Sequence, residues 1–350
     1  MRSLIPLSTL ALQIALISLS NAQAPAKGFG LTDSGFTQAE IVRKSTPRYP
    51  RAELLAGIEG WVVFSVIIDE QGNVKEPILI DSSGNRNFEM YAKMAARKVK
   101  YTPATQNGHS IASSDNELII NFKIRKKHQK AYKGFLSRYH DIHQNIISGE
   151  LEAASYSIKE LESKHTSNRY EIAWLHMLKS IYYQKIGDTG EYIKQLKGAV
   201  IYGNQGLPKS ILSNALISLY YAQAKNNLIA DAFKTSKLID QLAENSTEKS
   251  KALEHKVQLE KAIFKHPQFS IRGSISTSEA PWIHNLYRRT IGIETLSGKL
   301  DRLEIRCSNK TQTINLNKEF SLFKLPSDWK NCTAFIYGES SSELILLEQL

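Results

Sequence analysis

Hydrophobic alternation marks the first strands. From Gly60 to Asp69, Val62, Phe64, Val66 and Ile68 fall on one face, while Trp61, Val63, Ser65 and Ile67 fall on the other. With both faces largely apolar, the segment reads as a central strand. Asp69-Glu70-Gln71-Gly72 supplies a turn with glycine where positive φ is wanted, and Val74 to Asp81 returns antiparallel. A short helix, Arg51 to Ala56, precedes the hairpin, bracketed by Pro50 and Gly57. After Ser82-Ser83-Gly84 a second helix is expected from an N-cap at Asn87 to before Pro103. Its apolar residues Phe88, Tyr91, Ala92, Ala95, Ala96 and Val99 follow the i, i+3, i+4, i+7 rhythm that lays one stripe on a sheet. Glu117 to Ile124 then forms a third strand, with Leu118, Ile120, Phe122 and Ile124 on one face. The unit is β-β-α-β behind a short helix.

The edges of that sheet decide what it can do. Pro77 lies in the second strand and lacks the N–H a ladder needs, so that side recruits a further strand poorly. Glu117 to Ile124 carries no such blocker, and its outer row of N–H and C=O groups can pair with an extended peptide. The alternative is that a neighbouring domain or a second copy of the chain covers this edge.

Beyond residue 127 the pattern turns helical. Gly149, Gly187 and Asn226-Asn227 separate successive helix pairs at offsets of 38 and 39 residues, which predicts a short α-solenoid. Trp174, Leu178 and Tyr182 before Gly187, with Tyr192, Leu196 and Ala199 after it, weakly resemble tetratricopeptide repeats. From Pro267 onward short apolar runs alternate with Ser, Asn and Gly turns, and a small β-sandwich follows most naturally.

Composition adds charge and redox context. The chain has 350 residues, 42% of them apolar, and a net charge of +11, which favours acidic partners without defining a fold. Lys93, Arg97, Lys98 and Lys100 fall mostly off the apolar stripe of the second helix, as a solvated basic face or a ligand site. With only two cysteines, Cys307 and Cys332, a cysteine-built zinc site and an iron–sulfur cluster are excluded. No G-x-S-x-G, G-x-x-x-x-G-K-[ST], H-E-x-x-H or C-x-x-C motif occurs, so the sequence offers neither a catalytic constellation nor a cofactor site. His140 and His143 lack a third metal ligand nearby.

Tyr49-Pro50, Gly57-Ile58-Glu59-Gly60, Val62 to Asp69, Gly72-Asn73-Val74, Ser82-Ser83-Gly84, Ala95 to Tyr101 with Pro103-Ala104, and Ile119 to Ile124 together resemble the C-terminal domain of the TonB family of energy transducers. The resemblance implies a periplasmic module that binds the short "TonB box" peptide of outer-membrane receptors by adding it to the last strand. That role would fall on Glu117, Leu118, Ile119, Ile120, Asn121, Phe122, Lys123 and Ile124. Tyr49, Pro50, Gly60 and Gly72 match the family motif; for Tyr49-Pro50, at the domain entrance, packing is as good a reading as ligand contact.

Two features depart from that pattern. The apolar stretch Leu4 to Leu19, followed by Ala22-Gln23-Ala24, reads as a cleaved signal peptide rather than an uncleaved anchor, and no histidine precedes His109. The segment after it is short, whereas a transducer carries a long Pro-rich spacer; at ~3.6 Å per residue it could not cross the periplasm. Export makes a Cys307–Cys332 disulfide the expectation.

The sequence therefore predicts an α+β multidomain chain: signal peptide 1–24, linker 25–39, TonB-like domain 40–126, TPR-like α-solenoid 127–265 and β-sandwich 266–350. It is expected to be periplasmic, with inner-membrane anchoring as the alternative, and to be a binder rather than an enzyme. The expected partners are a TonB-dependent outer-membrane receptor or another envelope protein, with a separate membrane-anchored transducer as a further candidate; nucleic acid and a stable membrane span are not expected. The alternative function is a structural envelope factor that holds peptidoglycan or acidic outer-membrane components, with no transport role.

Overall fold

A computed structural model describes residues 35–124, 131–166 and 168–350. The predicted signal peptide, most of the linker and the basic run Arg125 to Lys130 lie outside the described residues. The expected linker does not stay irregular to its end. Strands β1 (Phe36–Thr37) and β2 (Glu40–Arg43) form there and pair with later short strands.

Helix α1 (Arg51–Ala56) stops at Gly57, whose φ of 68° closes the helix in the left-handed conformation. Strands β3 (Gly60–Ile68) and β4 (Val74–Ser82) form the expected hairpin. Pro77 coincides with a register shift in β4, and Glu76 beside it takes a φ of 42°. Helix α2 (Arg86–Ala96) is capped by Asn85, two residues before the expected cap, because the Asn85 side chain accepts from Phe88 N at 3.0 Å. Asn87 instead donates to the Glu53 carboxylate at 2.6 Å.

Four strands follow: β5 (Lys100–Thr102), β6 (Ala104–Gln106), β7 (His109–Ile111) and β8 (Ser113–Phe122). Strands β1, β6 and β7 form one small sheet, β2 and β5 another, and the main sheet has the order β4-β3-β8. The third predicted strand thus starts four residues earlier than expected and stops at Phe122, leaving Lys123 and Ile124 beyond it.

The helices run α3 (Lys133–Ser148), α4 (Leu151–Glu160, continued by a π-helical turn at Leu161–His165), α5 (Arg169–Ile186), α6 (Thr189–Gly206), α7 (Lys209–Lys225), α8 (Ile229–Leu242) and α9 (Thr247–Lys265). They pair as hairpins across Gly149, Gly187 and Asn226-Asn227, the breaks read from the sequence.

The last segment holds β9 (Gln268–Ser274), β10 (Trp282–Asn285), β11 (Thr290–Ser297), β12 (Leu300–Cys307), β13 (Lys310–Asn315), β14 (Phe320–Lys324), β15 (Thr333–Gly338) and β16 (Glu343–Gln349). Two four-stranded sheets, β10-β15-β12-β13 and β14-β11-β16-β9, enclose a core of Ile271, Ile291, Ile293, Leu303, Ile305, Leu344 and Leu346. Cys307 and Cys332 are joined by a disulfide. Architecture and fold class are α+β: a β-β-α-β unit with added short strands, a stack of helical hairpins, and a β-sandwich.

These parts are not strung loosely. Ile229 of α8 and Ile263 of α9 belong to the sandwich core. The Arg288 guanidinium donates to the carbonyls of Ile263, His266 and Pro267 at the end of α9. Beside it the buried Glu348 carboxylate accepts from His284 Nε2 at 2.8 Å and Tyr287 N at 2.8 Å, so the polar groups at this junction are satisfied. Residues 35–350 form one compact unit.

Candidate functional site

Strand β3 is buried on both faces, each for its own reason. Val62, Phe64, Val66 and Ile68 meet Phe88, Ala92, Ala95 and Ala96 of α2. Trp61 and Val63 on the back meet Ile172 and Ala173 of α5, with Ile201 and Leu207 beside them. Further along the same back face Arg306 of β12 reaches Ser65. The back of the sheet is therefore closed by later parts of the same chain, and what remains to be decided is the margin formed by β8.

Strand β8 pairs with β3 from Ser113 opposite Ile68 to Phe122 opposite Gly60, with a bulge between Asp115 and Leu118. Leu118, Ile120 and Phe122 point into the α2 core and are buried. Ile119 faces the other way and remains 43% exposed, an uncovered apolar side chain on the strand proposed from sequence. Among the described residues no strand pairs with β8 on the side away from β3, so alternate residues there turn N–H and C=O groups outward.

Polar contacts fix the two ends of this margin. At the exit, the buried Glu59 carboxylate accepts from Ile124 N at 2.7 Å and from Arg169 N at 3.2 Å, tying the end of the strand to the first turn of α5. At the bulge, Asp115 accepts from Tyr101 Oη and from Glu117 N, both at 2.9 Å. Burial pushes the Asp115 carboxyl above its ordinary range, against the lowering pull of the Tyr101 hydrogen bond and of Lys234. Lys234 of α8 forms an ion pair with Glu117. Strands β12 and β13 also lie against β8.

The expected edge residues thus divide. Glu117 through Phe122 are on β8, and Lys123 and Ile124 follow it. Tyr49 packs edge-on against Phe88 and Phe122, with ring centroids 5.7 and 5.6 Å away, and its hydroxyl donates to Ile58 O at 2.5 Å. Pro50 caps α1. At Gly60 a Cβ would come within 2.6 Å of the Phe88 ring, and at Gly72, whose φ is 75°, it would strike the Tyr101 carbonyl. All four motif residues shape and hold the sheet. Sequence reasoning missed Glu59, Asp115, Lys234 and Arg306. Only Glu59, inside the Gly57-Ile58-Glu59-Gly60 run, sat within a recognised pattern, while the other three act through partners distant in sequence.

Residues 45–124 match the family model described as "Gram-negative bacterial TonB protein C-terminal". Protein TonB of Xanthomonas campestris pv. campestris (strain B100) is 41% identical over 78 residues, which cover 22% of this chain and 34% of that protein. Protein TonB of Vibrio cholerae serotype O1 is 36% identical over 78 residues, 22% of this chain and 32% of that protein. The solution structure of the Pseudomonas aeruginosa TonB CTD covers 28% of this chain and 95% of its own, at 27% identity and a TM-score of 0.22. A tpr-like protein from Chlorobium tepidum TLS covers 37% of this chain and 94% of its own, at 14% identity and a TM-score of 0.28. The match thus spans about a third of the length of the curated relatives. The match to a TonB C-terminal domain is thus confined to residues 45–124 of a longer chain that continues with helical hairpins and a sandwich.

Proposed function

We propose that this protein is an interaction protein of the cell envelope that supports TonB-dependent outer-membrane transport by taking an extended receptor peptide as an added strand on β8. The observation that carries the reading is the margin of a TonB C-terminal domain with no strand beside β8 among the described residues. Main-chain pairing would supply affinity, and side chains of the guest would lie alternately beside Ile119 and over the α2 side. The guest would pair along Leu118 to Phe122, beyond the bulge where Lys234 meets Glu117. The chain works by binding, in the exported compartment that its N-terminal sequence predicts, and force transmission would come from a separate anchored transducer.

The test is titration of the full chain with a synthetic peptide bearing a receptor TonB box, at low and high salt. Strand addition predicts saturable binding that changes little with ionic strength, because backbone hydrogen bonds are weakly screened. Binding that collapses in salt would favour a polyanion-holding envelope factor, and absence of binding would remove the transport reading.

A further inference from the structure

The outer face of α2 is the surface that peptide binding leaves unused. Phe88, Ala92, Ala95 and Ala96 face the sheet. On the opposite side, Arg86, Met90, Lys93 and Arg97 recur at i, i+4, i+7 and i+11 and form one outward seam. Met94 lies beside it. Met90 and Met94 are 52% and 53% exposed, which is unusual for two thioether side chains a turn apart on a helix that already buries its apolar stripe. Helix α1 stands at the same helix's N-terminal flank, held by the Asn87 to Glu53 hydrogen bond. Two of its leucines, Leu54 and Leu55, are exposed by 48% and 78%.

Charge on this face is one-sided by construction. The carboxylates of α1 and α2 are turned away from it: Glu53 accepts from Asn85 and Asn87, and Glu89 accepts from Ser82 Oγ at 2.5 Å. Among the described residues none of Arg86, Lys93, Arg97 and Lys98 forms an ion pair. A face meant only for solvation gains nothing from exposed methionine and leucine. A face meant only for a polyanion gains nothing from them either. Cations interleaved with apolar side chains match a bilayer interface, where headgroup phosphates meet the first and the acyl boundary receives the second.

We propose that the α1–α2 face docks on an anionic phospholipid surface, holding the TonB-like domain against a membrane with the β8 margin turned sideways and free. Docking is peripheral, with the methionines entering no deeper than the headgroup boundary.

The experiment is co-sedimentation of the purified full chain with vesicles of pure phosphatidylcholine and of phosphatidylcholine doped with phosphatidylglycerol; the apolar N-terminal stretch is common to every arm. Two double variants are compared with the parent, Lys93→Gln/Arg97→Gln and Met90→Ser/Met94→Ser, after circular dichroism confirms that both fold. The proposal predicts preference for the doped vesicles. Removing the two cations should weaken it roughly 25-fold, each surface cation being worth about fivefold. Removing the methionines should weaken it several-fold as well. Equal binding to both vesicle types, insensitivity to either variant, or loss only in the charge variant with matching loss on peptidoglycan sacculi would each overturn it.

Discussion

Arg306 of β12, fully buried, donates from Nη1 to Ser65 Oγ at 3.3 Å, across 241 positions of sequence. The same guanidinium donates to Glu76 O at 3.1 Å and from Nε to Glu304 Oε1 at 2.6 Å, and it lies 5.1 Å from the centroid of the Phe335 ring. One side chain therefore fastens the sandwich to the back of the TonB-like sheet and occupies the carbonyl that the Pro77 bulge turns out. Replacing Arg306 by Ala would leave Glu304 buried without its cation, a loss of about 3–5 kcal/mol. Urea unfolding should show a lower midpoint. Ser65→Ala, which removes one neutral acceptor, should cost only about 1 kcal/mol.

The two motif glycines sit where no side chain fits. Gly72→Ala places a Cβ on the Tyr101 carbonyl at a φ of 75°. We expect a loss well above the ~1 kcal/mol typical of a left-handed position alone, because backbone must move. Gly60→Ala should be similarly severe through the Phe88 ring. Thermal melting of both variants checks this, and a melting point unchanged from the parent in either would refute it.

Two half-buried groups titrate with opposite signs. His176, whose Nδ1 donates to Gln195 Oε1 at 2.7 Å, is pushed down to about 4 by burial between α5 and α6. The unfolded chain takes up this proton near pH 6.5 and the folded chain only near 4, so stability falls as pH drops through that window, by under about 1.4 kcal/mol per unit. Asp81 is pushed up to about 6 by burial. Here the folded state holds its proton longer, so the stability it adds at low pH is lost as pH rises toward 6. Melting His176→Gln and Asp81→Asn across pH 4 to 7 separates them: the first should be less acid-sensitive than the parent, and the second should gain stability at pH 7 but not at pH 4.

The Cys307–Cys332 bridge closes a loop of 25 positions under the Ser308 to Lys330 segment. Reduction should cost about 3 kcal/mol by the chain-entropy argument, and Cys307→Ser/Cys332→Ser should melt like the reduced parent. A protein equally stable with and without dithiothreitol would contradict this.

Much of the fold was legible because burial leaves a periodic record. The doubly apolar Gly60 to Ile68 run announced a central strand, and both faces are indeed covered. Gly149 and Gly187 marked helix ends because the chain there needs φ values of 89° and 79°. The short strands were invisible: Glu40 to Arg43 is exposed at every position and bears no alternation against a core. Ser113, Ser114 and Asp115 carry no apolar alternation, yet they pair with Val66 to Ile68. Between two asparagines two residues apart, local sequence could not say which caps α2, since Asn87 is claimed by Glu53. Arg306 occupies an alternating position that reads as solvent-facing, and its burial depends on a sheet formed by residues more than 200 positions earlier. Fold-positioning residues with local partners could be read; those with distant partners could not.

Hydrogen–deuterium exchange of the full chain, with and without saturating TonB-box peptide, tests the central claim most directly. A guest strand would protect outward amides of β8, so exchange should slow within Leu118 to Phe122 and stay unchanged in β4, the opposite margin. Unaltered exchange across β8 in the presence of bound peptide would contradict strand addition at this edge.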